Sequence, residues 1–196
     1  MTPGGAHLPR LLVLVDGVDD PLATAKAAVA GGARAIVLRE KWRSSAARRS
    51  LAEGLKPVLD QVGGLLLMAS EPAPGADGVH LAASDPIPDP RPPVVGRSCH
   101  DRRSLEAAAA EGCDYATLSP IFATPSKPGY GPPLGVEALG AAPLPVYALG
   151  GVGVANAGAC VTAGATGVAV MGAVMRAPDP ARVVTELLAA LERSQE

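Results

Sequence analysis

The chain has 196 residues, of which 48% are hydrophobic and 18% are charged, and its formal net charge is -2. These values predict one globular domain, residues 1–196, with a substantial apolar core. Because only 3% of the residues are aromatic and basic residues are not in excess, we expect no nucleic-acid partner. We also expect no membrane partner and a cytoplasmic location, because no apolar run reaches about 18 residues and the N-terminal residues lack a signal-peptide pattern.

Eight short apolar segments recur along the chain, and each predicts a β-strand. Their Leu and β-branched residues show no polar alternation, which is typical of strands buried on both faces of a parallel sheet. In chain order, the predicted strands are Leu11–Val15, Ala35–Leu38, Leu65–Met68, Gly78–Leu81, Val94–Cys99, Tyr115–Leu118, Val146–Leu149 and Gly167–Met171.

Alanine-rich segments with helical spacing separate most of these strands. The predicted helices are Pro21–Ala30, Ser44–Gln61, Arg103–Glu111, Ala155–Ala163 and Asp179–Arg193, with a short helix at Val136–Leu139. This alternation favours a (β/α)8 TIM barrel over an open doubly wound sheet. The Pro-rich segment 85–93 leaves room for at most one helical turn, so the helix between strands four and five is expected to be truncated. Apolar faces on the outer helices would permit a homodimer.

The three cysteines of the chain do not point to metal or redox chemistry. Cys99, Cys113 and Cys160 are too widely spaced to indicate a zinc site or a redox dithiol. We therefore expect buried thiols that act as small apolar side chains.

Polar residues that follow the strands are the first site candidates, because the ligand of a TIM barrel lies at the carboxyl ends of its strands. Arg39 and Lys41, two positions apart after strand two, indicate either an anion site or a solvated turn. His80 and His100 lie at the ends of strands four and five, and each is either a general base near neutral pH or a structural histidine. Asp85 is either a ligand of Mg²⁺ or the cap of a Pro-rich turn.

Two further features predict a phosphate site. The long Gly- and Pro-rich loop within residues 114–135 carries hydroxyl and cationic residues, and a loop of this length in a compact domain usually binds something. Glycine turns after strands seven and eight supply backbone N–H groups for a phosphate, although tight turns alone would also require glycine. The residues concerned are Ser119, Thr124, Ser126, Lys127, Gly150, Gly151, Met171 and Gly172.

Together these segments resemble the thiamin phosphate synthase and TenI family of (β/α)8 barrels, from about residue 11 to residue 174. The resemblance implies a small-molecule thiazole phosphate as the ligand, held by the glycine turns. It also implies that Thr124, Ser126 and Lys127 belong to the loop that meets the diphosphate in the synthases, and Lys127 is expected in the tautomerases as well. The matching segments are LREK at 38–41, GADGVHL at 75–81, GRSCH at 96–100, DYATLSPIFATPSKPG at 114–129, PVYALGGV at 145–152 and AGATGVAVMGAV at 163–174.

Departures from the synthase pattern lie mainly on the pyrimidine and diphosphate side of the site. The resemblance implies Mg²⁺ held by two aspartates, but Met68 and Ala69 stand where an Asn-Asp pair is expected, and only Asp85 matches. Val37 stands where synthases typically have a glutamine that contacts the pyrimidine. On the thiazole phosphate side, Gly172 stands where a serine is common.

The resulting hypothesis is a thiazole tautomerase that needs no metal or other cofactor and aromatises a thiazole carboxylate phosphate by proton transfer. Arg39 and Lys41 would orient the carboxylate, with Lys41 also counted among the catalytic residues. His100 would move the proton, with His80 second, because Pro120 stands where one tautomerase pattern has its histidine. One alternative is a thiamin phosphate synthase with a degenerate Mg²⁺ site. A second alternative is a non-catalytic binder of phosphate ligands.

Overall fold

A computed structural model describes residues 8–124 and 132–194 and contains a closed barrel of eight parallel strands. The strands pair in chain order, and the first pairs with the last. They are β1 Leu11–Val15, β2 Ala35–Leu38, β3 Leu65–Ala69, β4 Gly78–Leu81, β5 Val94–Cys99, β6 Tyr115–Leu118, β7 Val146–Ala148 and β8 Gly167–Val170. The predicted TIM barrel is confirmed, and the predicted strand ends differ by one residue, at Ala69, Leu149 and Met171.

Helices follow most strands and pack against the barrel. They are α1 Pro21–Ala30, α2 Ser45–Asp60, α3 Arg102–Ala110, α4 Ala157–Thr162, α5 Gly172–Met175 and α6 Pro180–Arg193, with a 3₁₀ helix at Val136–Leu139. The segment 82–93 contains no helix, as its prolines predict, and the segment 70–77 contains none either. The sequence pattern predicted all of these helices except α5. Within the described part of the chain, no helix is long and apolar enough to cross a membrane.

Two apolar layers stabilise the barrel. The interior layer includes Leu12, Leu14, Val37, Tyr115 and Tyr147, and the two tyrosine rings meet edge to face with centroids 5.5 Å apart. The outer layer lies between the strands and the helices. Because successive side chains of a strand point to opposite faces, every strand except β4 contributes to both layers. In β4, Val79 and Leu81 belong to the outer layer, and the alternate positions are Gly78 and His80.

The cysteines belong to the apolar packing, as expected. Cys99, Cys113 and Cys160 are all buried and none forms a disulfide. Burial raises the pKa of the Cys99 and Cys160 thiols to about 11, so both are protonated at neutral pH. The prediction that these residues act as small apolar side chains is confirmed.

Candidate functional site

A cavity of about 800 Å³ opens at the carboxyl ends of the barrel strands. Asp85 does not line it, and Ser126 and Lys127 lie outside the described residues. The fold therefore brings together predicted residues from the ends of six strands, β2 and β4 to β8. Those in the cavity wall are Arg39, Lys41, His80, His100, Ser119, Thr124, Gly150, Gly151, Met171 and Gly172.

The position of Arg39 is fixed by Asp16, which follows β1. Nη1 of Arg39 donates a hydrogen bond to Oδ2 of Asp16, whose side chain is 8% exposed. Oδ1 of Asp16 accepts from the backbone N–H of Lys41 at 3.2 Å. The carboxylate thereby holds the loop after β2 so that Arg39 and Lys41 both line the cavity, as their spacing predicted. Arg39 is nevertheless part of an ion pair, which reduces the net positive charge it offers to a ligand.

His80 lies inside the barrel beneath the cavity and is 6% exposed. Its Nδ1 lies 2.9 Å from Oη of Tyr115, and its Nε2 lies 2.9 Å from Oγ of Ser98. Burial, followed by the positive charges of Arg39 and Arg97, lowers the pKa of His80 to about 4. His80 is therefore uncharged at neutral pH and does not keep the near-neutral titration expected from its sequence position. Its environment suits hydrogen bonding better than proton transfer.

The burial of His80 predicts a loss of stability in acid. Its folded pKa of about 4 is below the ordinary value of 6.5, so the unfolded chain binds the proton more tightly. The contribution of His80 to folding is therefore complete above pH 6.5 and is lost as the pH falls towards 4. We expect the free energy of unfolding to fall by up to about 3 kcal/mol across this window.

Urea unfolding of the wild type and of His80→Gln at pH 7 and at pH 4 measures this contribution. The glutamine variant keeps polar atoms at the site but cannot titrate, so its stability should fall less between the two pH values. The same fall in both proteins would show that another group causes the acid sensitivity.

His100 follows β5 and is oriented by the loop after β6. Its Nδ1 lies 2.8 Å from the backbone carbonyl oxygen of Ser119. A carbonyl oxygen can only accept, so Nδ1 carries the proton, and the lone pair of the neutral ring is on Nε2. The backbone N–H of His100 donates to Oγ of Ser104 at 3.0 Å, within the capping box that begins α3. His100 is thus held in the cavity wall with Nε2 as its basic atom.

Close packing in the turn after β7 requires glycine at two positions. Gly150 and Gly151 have φ values of +90° and +69°, in the left-handed region that favours glycine. A Cβ on Gly150 would lie 2.8 Å from Cα of Pro120, and one on Gly151 would lie 2.6 Å from the carbonyl oxygen of Ala123. The turn geometry therefore requires glycine at both positions, whether or not a phosphate binds there. The same geometry leaves backbone rather than side chains in this part of the cavity wall.

The described side chains do not fit the two-aspartate Mg²⁺ site implied by the resemblance. Ala69 lines the cavity but has no side-chain oxygen. Oδ2 of Asp85 accepts from the backbone N–H of Ala82 at 2.8 Å, so Asp85 closes the turn of residues 82–85, just before the Pro-rich segment that it was expected to cap. Nη1 of Arg97 donates to the carbonyl oxygens of this turn, including that of Asp85 at 2.8 Å. Across residues 8–124 and 132–194, no group of three or more His, Cys, Asp or Glu side chains could hold a metal ion.

The sequence reasoning missed several polar residues of the cavity wall, among them Ser98, Asn156 and Arg176. Ser98 lies two residues before His100, so strand alternation could have placed both on the same face. Asn156 braces the turn after β7 by donating from Nδ2 to the carbonyl oxygen of Gly151 at 3.0 Å. Arg176 lies four residues after Gly172, a spacing that places two residues side by side on a helix.

Comparisons with known proteins agree with this architecture. A family model described as thiamine monophosphate synthase matches residues 11–174. A Geobacter sulfurreducens protein named putative thiamine-phosphate synthase is 38% identical over 191 residues, which cover 89% of each chain. The thiamine-phosphate synthase of Anaeromyxobacter dehalogenans is 41% identical over 205 residues, covering 95% of this chain and 90% of that protein. The solved thiamine phosphate pyrophosphorylase of Pyrococcus furiosus superposes with a TM-score of 0.85 and 26% identity, covering 95% of this chain and 97% of the other.

Proposed function

Because the chain belongs to the thiamine monophosphate synthase family of enzymes, we propose that it forms thiamine phosphate from a thiazole phosphate and a hydroxymethylpyrimidine diphosphate. The relatives that are 38% and 41% identical carry the name of this activity. They support the synthase reaction, which was the first alternative from the sequence, better than the tautomerase reaction.

The observation that carries the proposal is a single cavity with two chemically different sides. Its volume of about 800 Å³ lies in the upper part of the range for small-molecule sites, about 300–1,000 Å³, and offers room for two substrates at once. The glycine turns after β7 and β8 form one side, and Arg39 and Lys41 stand on another. Loops after strands seven and eight are the usual phosphate site of this fold, so we place the thiazole phosphate there. The diphosphate then lies towards the two cations.

The condensation needs positive charge and exclusion of water. The thiazole nitrogen attacks the methylene carbon of the pyrimidine substrate, so a C–N bond forms while the C–O bond to diphosphate breaks. The electron pair of the broken bond leaves with the diphosphate, where Arg39 and Lys41 stabilise the developing negative charge. Leu14, Val37 and Ala69 line the cavity with apolar surface, which keeps water away from the reacting carbon.

Mg²⁺ has no assigned ligands in this mechanism. A substrate diphosphate can bring Mg²⁺ with it, since this ion often binds through phosphates, water and few protein groups. This chain supplies cationic side chains, backbone N–H groups and an apolar surface for the thiazole and pyrimidine rings.

A second candidate, the thiazole tautomerase, is favoured by the apolar side chains of Val37 and Ala69. Neither side chain can hydrogen-bond a pyrimidine, and neither can bind a metal ion. A one-substrate reaction would need only the phosphate side of the cavity and one acid or base. His100, with Nε2 as its basic atom, is oriented for that role.

Two assays with the purified protein separate these candidates. In the first, both condensation substrates are supplied with Mg²⁺, and thiamine phosphate is measured. In the second, the unaromatised thiazole carboxylate phosphate is supplied alone, and its aromatisation is followed by absorbance. We expect product in the first assay and no acceleration over buffer in the second. Acceleration in the second assay without product in the first would replace the proposal by the tautomerase.

Replacement of His100 by Ala gives a further test of the same choice. The condensation transfers no proton through this side chain, so we expect kcat to fall less than about tenfold, through loss of the hydrogen bond to Ser119. A general acid or base contributes about 10²–10⁴-fold. A fall of that size in the condensation rate, with His100→Gln equally inactive, would mean that proton transfer limits the reaction.

A further inference from the structure

Gly172, the first residue of α5, leaves a space that the side chain of Arg176 fills. A Cβ added to Gly172 would overlap Nη1 of Arg176 and would lie 2.7 Å from its Cζ. All three of the nearest atoms belong to this guanidinium group. The guanidinium of Arg176 therefore lies where a side chain of residue 172 would begin.

Within the part of the chain that the structure describes, the guanidinium of Arg176 pairs with no acidic side chain. Arg176 is exposed and lines the cavity together with Gly150, Gly151 and Gly172. Among the ion pairs and hydrogen bonds of residues 8–124 and 132–194, none involves the Arg176 side chain. Arg39, by contrast, is paired with Asp16. At the mouth of the barrel, Arg176 thus offers an uncompensated positive charge beside the turns that follow β7 and β8.

We propose that Arg176 binds the phosphate group of the thiazole substrate and that Gly172 is the residue that admits it. A guanidinium presents two parallel N–H donors that match two oxygens of a phosphate. The turns beside it are mostly bare backbone, since glycine occupies positions 150, 151 and 172. Arg176 then supplies the charge that these turns lack. The inference rests on the proposed function only for the identity of the ligand.

Calorimetric titration of the full chain with the thiazole phosphate, without the second substrate, tests the role of Arg176. Arg176→Ala should weaken binding about tenfold, because a partly exposed charge-assisted pair contributes on this scale. Arg182→Ala is the matched control, since Arg182 lies outside the cavity and pairs with Glu186, and its affinity should equal that of the wild type. An unchanged affinity in Arg176→Ala would overturn the proposal.

Gly172→Ala tests whether the absence of a side chain at position 172 is what allows the guanidinium of Arg176 to occupy its place. The obstructing atoms are the far end of a flexible side chain, so the fold can accept the methyl group by displacing the guanidinium. Gly172→Ala should therefore weaken binding of the thiazole phosphate to a similar extent. It should add nothing when Arg176 is already Ala, because the displaced group is then absent. Equal and additive losses would show that Gly172 acts independently, and this part of the proposal would fail.

The binding measurements test the role of Arg176 separately from the condensation reaction. If Arg176→Ala weakens binding while no thiamine phosphate forms, the role of Arg176 holds and the condensation is wrong. If thiamine phosphate forms but the affinity of Arg176→Ala is unchanged, the condensation holds and the role of Arg176 is wrong.

Discussion

Replacing Arg39 by Ala is expected to lower kcat/KM for the condensation by about 100-fold, because donors aimed at a developing negative charge contribute on that scale. The change also leaves Asp16, which is 8% exposed, without its partner and adds an uncompensated negative charge beside the leaving diphosphate. Initial rates at subsaturating substrate, measured as diphosphate release, give the effect.

Two further variants separate the causes of that loss. In Arg39→Ala combined with Asp16→Asn, the unpaired carboxylate is gone, so any activity regained measures its repulsion of the diphosphate. Arg34→Ala removes an arginine that precedes β2 at the opposite end of the barrel and should leave kcat/KM unchanged. A folded Arg39→Ala protein with wild-type kcat/KM would contradict the role of Arg39.

Replacing Gly96 by Ala is expected to destabilise the barrel by about 3 kcal/mol, the upper end of what overpacking a core usually costs. Gly96 lies on β5 between His80 of β4 and Tyr115 of β6, which are its register partners. The ring of Tyr115 crosses over Gly96 to reach Nδ1 of His80 at 2.9 Å. A Cβ at position 96 would overlap this ring and would lie 2.5 Å from its hydroxyl oxygen.

Thermal unfolding should show the effect as a decrease in Tm of about 6–12 °C for a chain of this size. Gly153→Ala is the matched control, because nothing lies within 4 Å of a Cβ at that position. Its Tm should remain close to that of the wild type. If the two variants lose the same stability, the contact between Gly96 and Tyr115 is not what requires glycine.

The barrel could be predicted from the sequence because its strand signals are local. Runs such as Leu11–Val15 and Ala35–Leu38 are short and apolar throughout, which is typical of strands buried on both faces. The helix α5, at Gly172–Met175, was missed because four residues carry no periodic pattern. Its presence explains why the predicted eighth strand extended one residue too far, to Met171.

Most of the predicted site residues line the cavity, but their electrostatic states could not be predicted. Arg39 and Lys41 line the cavity as their spacing predicted, yet the partner of Arg39 is Asp16, 23 positions away in the sequence. His80 ends a strand and resembled a base, but its low pKa depends on burial beneath the cavity and on the positive charges of Arg39 and Arg97. Asp85 was left open between metal ligand and cap, and its hydrogen bond to Ala82 favours the cap. Each of these states arises from contacts between residues that are brought together only by folding.

The synthase reaction is tested most directly by ³¹P NMR of a single turnover with both substrates in the presence of Mg²⁺. The proposal predicts that the resonances of the pyrimidine diphosphate are replaced by that of free diphosphate. It also predicts one thiamine phosphate for each diphosphate released, at a rate that depends on the protein. Unchanged spectra in the presence of folded protein, or release of diphosphate without thiamine phosphate, would contradict the proposed function.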